Sequence, residues 1–182
     1  MNRYLLFLIV FAILLNGCSG WSEERCASAD WERIGEDDGD VGRPPERFDQ
    51  YRDYCERYGV TPDREAYDLG YLGGRDDYCT VRGGLEAGQR GDRYRGICKE
   101  GFDEDFRRGH QLGLRYFALE REIAALQSRR EQLEMELRFN SGLTPERRGY
   151  YQQQSIRLRG QIDRLADQRQ DLDAAARRLL AE

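Results

Sequence analysis

Hydrophobic positions along this chain follow three successive rhythms. From Tyr4 to Leu15 they form an unbroken 12-residue apolar run behind Asn2 and Arg3. From residue 21 to about residue 101 they are largely aromatic and interleaved with glycine. An aromatic or apolar residue followed by glycines three or four positions on recurs four times: Trp31 with Gly35 and Gly39, Tyr67 with Gly70 and Gly73, Leu85 with Gly88 and Gly91, Phe106 with Gly109 and Gly113. On a helix this spacing stacks the glycines on one face. Each glycine costs about 1 kcal/mol against alanine inside a helix, so repetition points to close approach of another backbone. The Tyr67 and Phe106 copies predict helix packing; the Trp31 and Leu85 copies predict turns.

Beyond residue 102 the rhythm becomes heptad. Leu119, Ile123, Leu126, Arg130, Leu133 and Leu137 follow alternating steps of four and three. Tyr151, Ser155, Leu158, Ile162, Leu165, Arg169, Leu172, Ala176 and Leu179 do the same, which is the seam of a coiled coil. Between the two runs, Gly142 suits a helix C-cap and Thr144-Pro145 a restart. Two helices of about 36 residues, each ~54 Å long, joined by so short a loop fold back antiparallel. Opposed around Gly142, Ile123 faces Ile162, Leu126 lies near Leu158, and Gly113 and Gly109 fall opposite Leu172 and Ala176. Arg130 and Arg169 interrupt the seam at core positions.

Local signals fix further boundaries. Thr61 as N-cap with Pro62 at the first helical position predicts a helix carrying Ala66, Tyr67, Leu69, Gly70 and Leu72 that fades near Gly73-Gly74. Asp103, Glu104 and Asp105 place negative charge in the first turn of the next helix. The expected fold class is mainly α: a small disulfide-stapled N-terminal domain of short helices and loops, then a long antiparallel two-helix coiled-coil hairpin. Its divisions are a signal peptide at 1–17, an anchor and linker at 18–25, a Gly/Tyr-rich stapled domain at 26–101 and the hairpin at 102–182.

The leading apolar run is too short for a membrane span, which needs about 20 residues. With a positive start and small Gly17 ahead of Cys18 it reads as a secretory signal peptide. Leu15-Asn16-Gly17-Cys18 resembles a lipoprotein cleavage site and implies that Cys18 becomes the acylated first residue. Ser19 stands where aspartate would resemble an inner-membrane retention signal. The expected location is therefore the outer membrane, facing the periplasm, with the membrane itself a partner through Cys18.

Setting Cys18 aside leaves Cys26, Cys55, Cys79 and Cys98, an even number in an oxidising compartment. The nearest spacing is 19 residues, far from the close pairs of a zinc site, so two disulfides and no metal are expected. Three connectivities stay open, with the local pairing Cys26–Cys55 and Cys79–Cys98 favoured. Each bridge contributes about 3 kcal/mol in the loop-entropy model.

Charged residues make up 35% of the chain and mean hydropathy is −0.85, too polar for one large core. The net charge of −5, or −6 without residues 1–17, excludes the basic footprint that nucleic acid requires. Lys99 is the single lysine beside 28 arginines, a bias of base composition rather than a binding surface. His110 is the only histidine, so catalytic arrangements built on a histidine base lack their partner. No G-x-S-x-G nucleophile or G-x-x-x-x-G-K-[ST] phosphate loop occurs, and no catalytic or cofactor-binding residue is assigned. Glu36-Asp37-Asp38-Gly39-Asp40 is the one concentrated acidic cluster. It lacks the residue order of a calcium loop and is expected to be an exposed acidic turn. Trp31, Tyr51, Tyr54, Tyr58, Tyr67, Tyr71, Tyr78 and Tyr94 supply a core for a leucine-poor domain, or alternatively a sugar-stacking face.

One combination of motifs reaches further. Cys26-x₃-Asp30-Trp31-x₂-Ile34-Gly35-x₂-Asp38-Gly39, then Cys55-x₃-Gly59-Val60-x-Pro62-Asp63-x₂-Ala66-Tyr67-x₂-Gly70-Tyr71-x₂-Gly74, lead to Tyr78-Cys79-Thr80. Gly88-x₂-Gly91-x₂-Tyr94-x-Gly96-Ile97-Cys98 and Phe106-x₂-Gly109-x₃-Gly113 complete the run. Together they resemble the bacterial lipoprotein family called domain of unknown function 2799. The resemblance implies a proteobacterial envelope lipoprotein with a helical C-terminus and transfers no activity. The expected role is a non-enzymatic structural or interaction protein, whose hairpin docks another envelope protein or a second copy of itself. The alternative is a module or enzyme acting on cell-wall glycan through the Trp/Tyr and acidic groups.

Overall fold

The computed structural model describes residues 21–181; the signal segment and Cys18 lie outside them. Every regular element is helical: α1 (Glu23–Ala27), α2 (Trp31–Asp40), α3 (Arg47–Cys55), a 3₁₀ turn (Glu56–Tyr58), α4 (Arg64–Tyr78), α5 (Val81–Gln89), α6 (Asp103–Phe139) and α7 (Pro145–Leu179). Disulfides join Cys26 to Cys55 and Cys79 to Cys98, with Cα separations of 5.5 and 5.4 Å. The mainly α class, the stapled N-terminal region and the long antiparallel helical hairpin are all present.

Side-chain caps start most helices. Asp30, Asp63, Thr80 and Thr144 each accept a hydrogen bond from a backbone N–H three residues on, satisfying a donor the helix leaves free. The cap of α4 is thus Asp63 rather than Thr61. Nor does α4 fade at Gly73-Gly74: it continues to Tyr78, because Gly74 is where α2 touches it.

That touch organises the fold. Along α2 and α4, a Cβ on Gly35 would land on the Tyr67 carbonyl and one on Gly39 beside the Tyr71 carbonyl. A Cβ on Gly70 or Gly74 would meet the carbonyls of Glu32 and Glu36. Gly35 and Gly39, expected in turns, are therefore helical. Backbone contact of this kind replaces the side-chain packing glycine cannot make, through close Cα–H···O approaches and dispersion.

The same arrangement recurs between α5 and α6. Gly84 and Gly88 face the carbonyls of Phe106 and His110, while Gly109 and Gly113 face those of Val81 and Leu85. So Gly109 and Gly113 serve α5, not Leu172 and Ala176 of the hairpin as expected. In the Leu85 copy, Gly88 is helical and Gly91 turns.

The two helix pairs are in register with each other residue by residue. Adding 49 takes Gly35, Gly39 and Gly42 to Gly84, Gly88 and Gly91; adding 39 takes Tyr67, Gly70, Tyr71 and Gly74 to Phe106, Gly109, His110 and Gly113. Gly42 (φ 68°) and Gly91 (φ 75°) end α2 and α5 in the left-handed conformation that favours glycine. The following N–H reaches back in the same way in both, Arg43 N to Asp38 O at 2.9 Å and Asp92 N to Ala87 O at 3.0 Å. An aromatic ring then closes over each turn, Tyr78 on Gly42 and Phe117 on Gly91. Residues 21–117 are an internal duplication: two glycine-sealed helix pairs, each closed by its own disulfide. Tyr78 joins them, since its ring also lies 4.6 Å from that of Phe106.

α6 leaves the second pair without interruption and runs into the hairpin with α7. Leu112, Tyr116, Leu119, Ile123, Leu172 and Ala176 are buried there, with Ile162 and Leu165 packed beside them. Tyr116 donates to Asp173 Oδ1 at 2.7 Å. Asn140, not Gly142, is the C-cap of α6, and its Oδ1 accepts from the Gly142 N–H at 3.1 Å. Arg169 escapes the seam to reach Glu120 Oε1 at 3.3 Å, and Arg130 Nε sits 3.1 Å from Glu134 Oε1. Arg169 is exposed, whereas Arg130 is half-buried with its Nε shielded from solvent.

Candidate functional site

Buried polar chemistry is concentrated in the first helix pair. Asp38 points inward from α2 and is 1% exposed. Its carboxylate accepts from Tyr51 Oη at 2.9 Å, from Tyr67 Oη at 3.0 Å and from Arg43 Nη1 at 2.6 Å. Three donors thus converge on one carboxylate, which a buried charge needs. Burial raises the Tyr51 and Tyr67 phenols, and the nearby Asp38 carboxylate raises Tyr67 further. The acidic cluster is therefore no exposed turn: Glu36, Asp37 and Asp40 face solvent from a helix whose fourth acid is its core. Among the described residues no three His, Cys, Asp or Glu side chains gather as a metal-binding group.

The aromatic set is consumed by the same core. Trp21 stacks on Trp31 with centroids 5.4 Å apart, and Trp31, Phe48, Tyr51, Tyr67 and Tyr71 pack ring against ring behind it. Only Tyr54 and Tyr58 of the eight sequence candidates are exposed, and Tyr94 is half-buried. A polar cleft of about 310 Å³ opens beside Trp21 and Tyr51, with Arg25, Arg43 and Arg47 on its rim. Arg25 lies 4.6 Å over Trp21, and Arg43 is tied to Asp38.

In the second pair, apolar groups occupy the corresponding positions. Ala87 stands where the first pair has Asp38, and Phe106 where it has Tyr67. Phe106 is fully buried and is flanked by Tyr94 at 4.4 Å and by His110, stacked at 5.6 Å. His110 Nε2 lies 2.7 Å from the Asp92 carbonyl; a carbonyl only accepts, so this nitrogen carries the proton. Tyr71 makes the equivalent bond to the Arg43 carbonyl at 2.8 Å. The single histidine is thus a structural pin at a matched position. Tyr94 Oη donates to Asp103 and accepts from the Cys98 N–H at 3.1 Å. Burial, with the Asp103 bond next, pushes that phenol up to about 12. The loop beside it opens a groove of about 660 Å³.

The hairpin carries the largest exposed apolar groups. From residue 124 to residue 157 no side chain is buried, and Met135, Phe139, Tyr150 and Ile156 are 56–73% exposed. Heptad counting located the seam but could not show that two helices leave their distal half half-covered. The matched histidine and the Asp38 network were likewise missed; the +49 and +39 offsets between glycines were the signal that could have found them.

The geometry defines a class: an all-helical protein of two duplicated, disulfide-closed helix pairs with a projecting helical hairpin. Within that class, the family model described as "Protein of unknown function (DUF2799)" matches residues 30–115, and the chain carries a domain of that family. The match spans both glycine-sealed pairs and stops where the hairpin departs. No curated protein and no solved structure matches the chain.

Proposed function

We propose that this is an envelope lipoprotein, exported by residues 1–17, acylated at Cys18 and held at the outer membrane facing the periplasm. In this reading it is a non-enzymatic interaction protein whose distal hairpin docks another envelope protein or a second copy of itself. The observation that carries the docking role is the arm from residue 124 to residue 157, where no side chain is buried. A two-helix coil buries a single seam, and a partner covering Met135, Phe139 and Ile156 would complete it. Two disulfides in the described residues support an oxidising compartment. Trp21 is already part of the aromatic core, so only Ser19 and Gly20 separate it from Cys18, and the domain would ride close to the membrane. The glycan alternative has less to stand on, since Trp31 is 7% exposed.

Two measurements test the reading. Cys18→Ser should abolish incorporation of labelled fatty acid, and continued labelling would remove the anchor assignment. A photo-crosslinking side chain at Met135 or Ile156 should capture a protein in cells, and Leu126→Asp with Ile162→Asp should abolish capture while both disulfides persist. Capture from Tyr54 but from neither arm position would place docking on the stapled domain instead.

A further inference from the structure

The two duplicated pairs differ in how their loop arginines are neutralised. In the first, Arg43 follows the left-handed Gly42 and turns inward onto the carboxylate of Asp38, 2.6 Å away. In the second, Gly91 leads into Asp92, Arg93, Tyr94 and Arg95, and the position of Asp38 is taken by Ala87. No internal carboxylate is available to the loop. Arg93 and Arg95 have no hydrogen-bond or ion-pair partner among the described residues, and both line the 660 Å³ groove together with Arg107, His110 and Gln111. The two carboxylates nearby are already engaged: Asp92 with Arg90 at 2.8 Å and Asp103 with Arg107 at 2.5 Å. A groove with surplus guanidinium charge therefore sits on a chain whose net charge is −5.

The loop is also held in place. The Cys79–Cys98 bridge closes it, Tyr94 bonds Asp103 and Cys98, and the imidazole of His110 holds the Asp92 carbonyl. Arg107 lies 4.9 Å over the Tyr94 ring. The bases of Arg93 and Arg95 are thus fixed on both sides of a pinned tyrosine, which lowers the ordering cost of binding. Guanidinium groups present forked donors that match the oxygens of a phosphate.

We propose that this groove binds a phosphate-type oxyanion, with Arg93 and Arg95 as its principal donors. The ligand supplies a counter-charge that no carboxylate of the second pair gives to Arg93 or Arg95. Phosphate monoesters and the headgroups of anionic lipids share this chemistry, and the groove is wide enough to admit the group that carries the phosphate.

Calorimetric titration of the full chain with inorganic phosphate and with glycerol phosphate is the first arm. Co-sedimentation with phosphatidylglycerol vesicles, against phosphatidylcholine vesicles, is the second. Saturable binding in the first arm assigns a soluble phosphate; binding only to phosphatidylglycerol assigns a headgroup; either supports the site. Arg93→Gln and Arg95→Gln should each weaken binding about tenfold, the loss of one charge-assisted contact. Leu114→Glu, an exposed groove residue, should abolish it. Arg157→Gln and Arg164→Gln, each of which removes the same single charge from α7, should change nothing. Absence of binding in both arms would overturn the proposal, as would equal losses in the groove and α7 pairs of variants.

Discussion

The two glycine-sealed pairs share a backbone and differ in what fills it. In the first, three side chains donate to one buried carboxylate, and the loop arginine is satisfied internally. In the second, Ala87 and Phe106 replace Asp38 and Tyr67, and the corresponding space is apolar. The close approach of helices is thus set by the glycines alone and tolerates either filling. The fillings differ in charge: the polar pair buries a carboxylate, and the apolar pair buries none. Buried polar networks give specificity at the risk of a large penalty when one member is lost, a risk the second pair does not carry.

The sharpest way to break the comparison is to remove what the pairs share. Gly70→Leu puts a side chain into the Glu32 carbonyl, and Gly109→Leu puts one into that of Val81. Each should unfold its own pair, a loss of about 5 kcal/mol or more, read as lost helical dichroism and a lowered melting temperature. A melting temperature within a few degrees of wild type for either would refute backbone contact.

Next comes the feature they do not share. Asp38→Ala should cost about 3–5 kcal/mol in denaturant unfolding, because Tyr51, Tyr67 and Arg43 lose their acceptor. Adding Tyr67→Phe converts the first pair to the chemistry of the second and should recover about 1–2 kcal/mol of that loss. Strictly additive losses would mean that the two side chains do not act through each other.

Alkali sharpens the contrast further. Burial is the first cause that pushes Tyr71, Tyr94 and Tyr116 up to about 12 from 10.0, and Tyr51, Tyr67 and Tyr78 are raised as well. A phenol whose folded pKa is raised contributes stability that is complete below its unfolded value and is lost as pH rises through the folded one. Helicity should therefore hold to about pH 10 and fall toward pH 12, with phenolate absorbance rising in the same step. The exposed Tyr54, Tyr58 and Tyr150 ionise near pH 10 without unfolding; ionisation of the full tyrosine complement there with intact helicity would contradict the burial of the other rings. The smallest expected effect belongs to Gly73→Ala: nothing lies within 4 Å of the added carbon, so it should stabilise by up to about 1 kcal/mol. A loss of stability would show that α4 needs both glycines.

Much of this molecule was legible in its sequence where the signal is local. The hairpin could be read because heptad period, Thr144-Pro145 and a short loop are neighbours along the chain. The stapled pairs were harder. Gly35 and Gly39 stand in an acid-rich stretch of poor helix propensity, so α2 is helical because α4 seals it, which spacing within α2 cannot reveal. Choosing Gly73 instead of Gly74 is a one-residue slip that moves the contact about 100° around the helix. The duplication was hidden because glycines and cysteines are nearly all that the copies retain, and because Gly35 to Gly70 spans ten more positions than Gly84 to Gly109. The Asp38 network depends on Tyr51 and Tyr67, 13 and 29 residues away, a distance at which pattern carries no information.

α6 has a mechanical consequence. It is locked against α5 at Gly109 and Gly113, and between Leu114 and Phe139 it contains no glycine or proline at which to bend. That stretch is a strut of about 39 Å clamped at one end. A sideways pull on the tip near Phe139 is delivered as torque to the α5–α6 seam, beside the Cys79–Cys98 bridge. A docked partner would therefore be felt, through a single rigid lever, at the loop that carries Arg93 and Arg95.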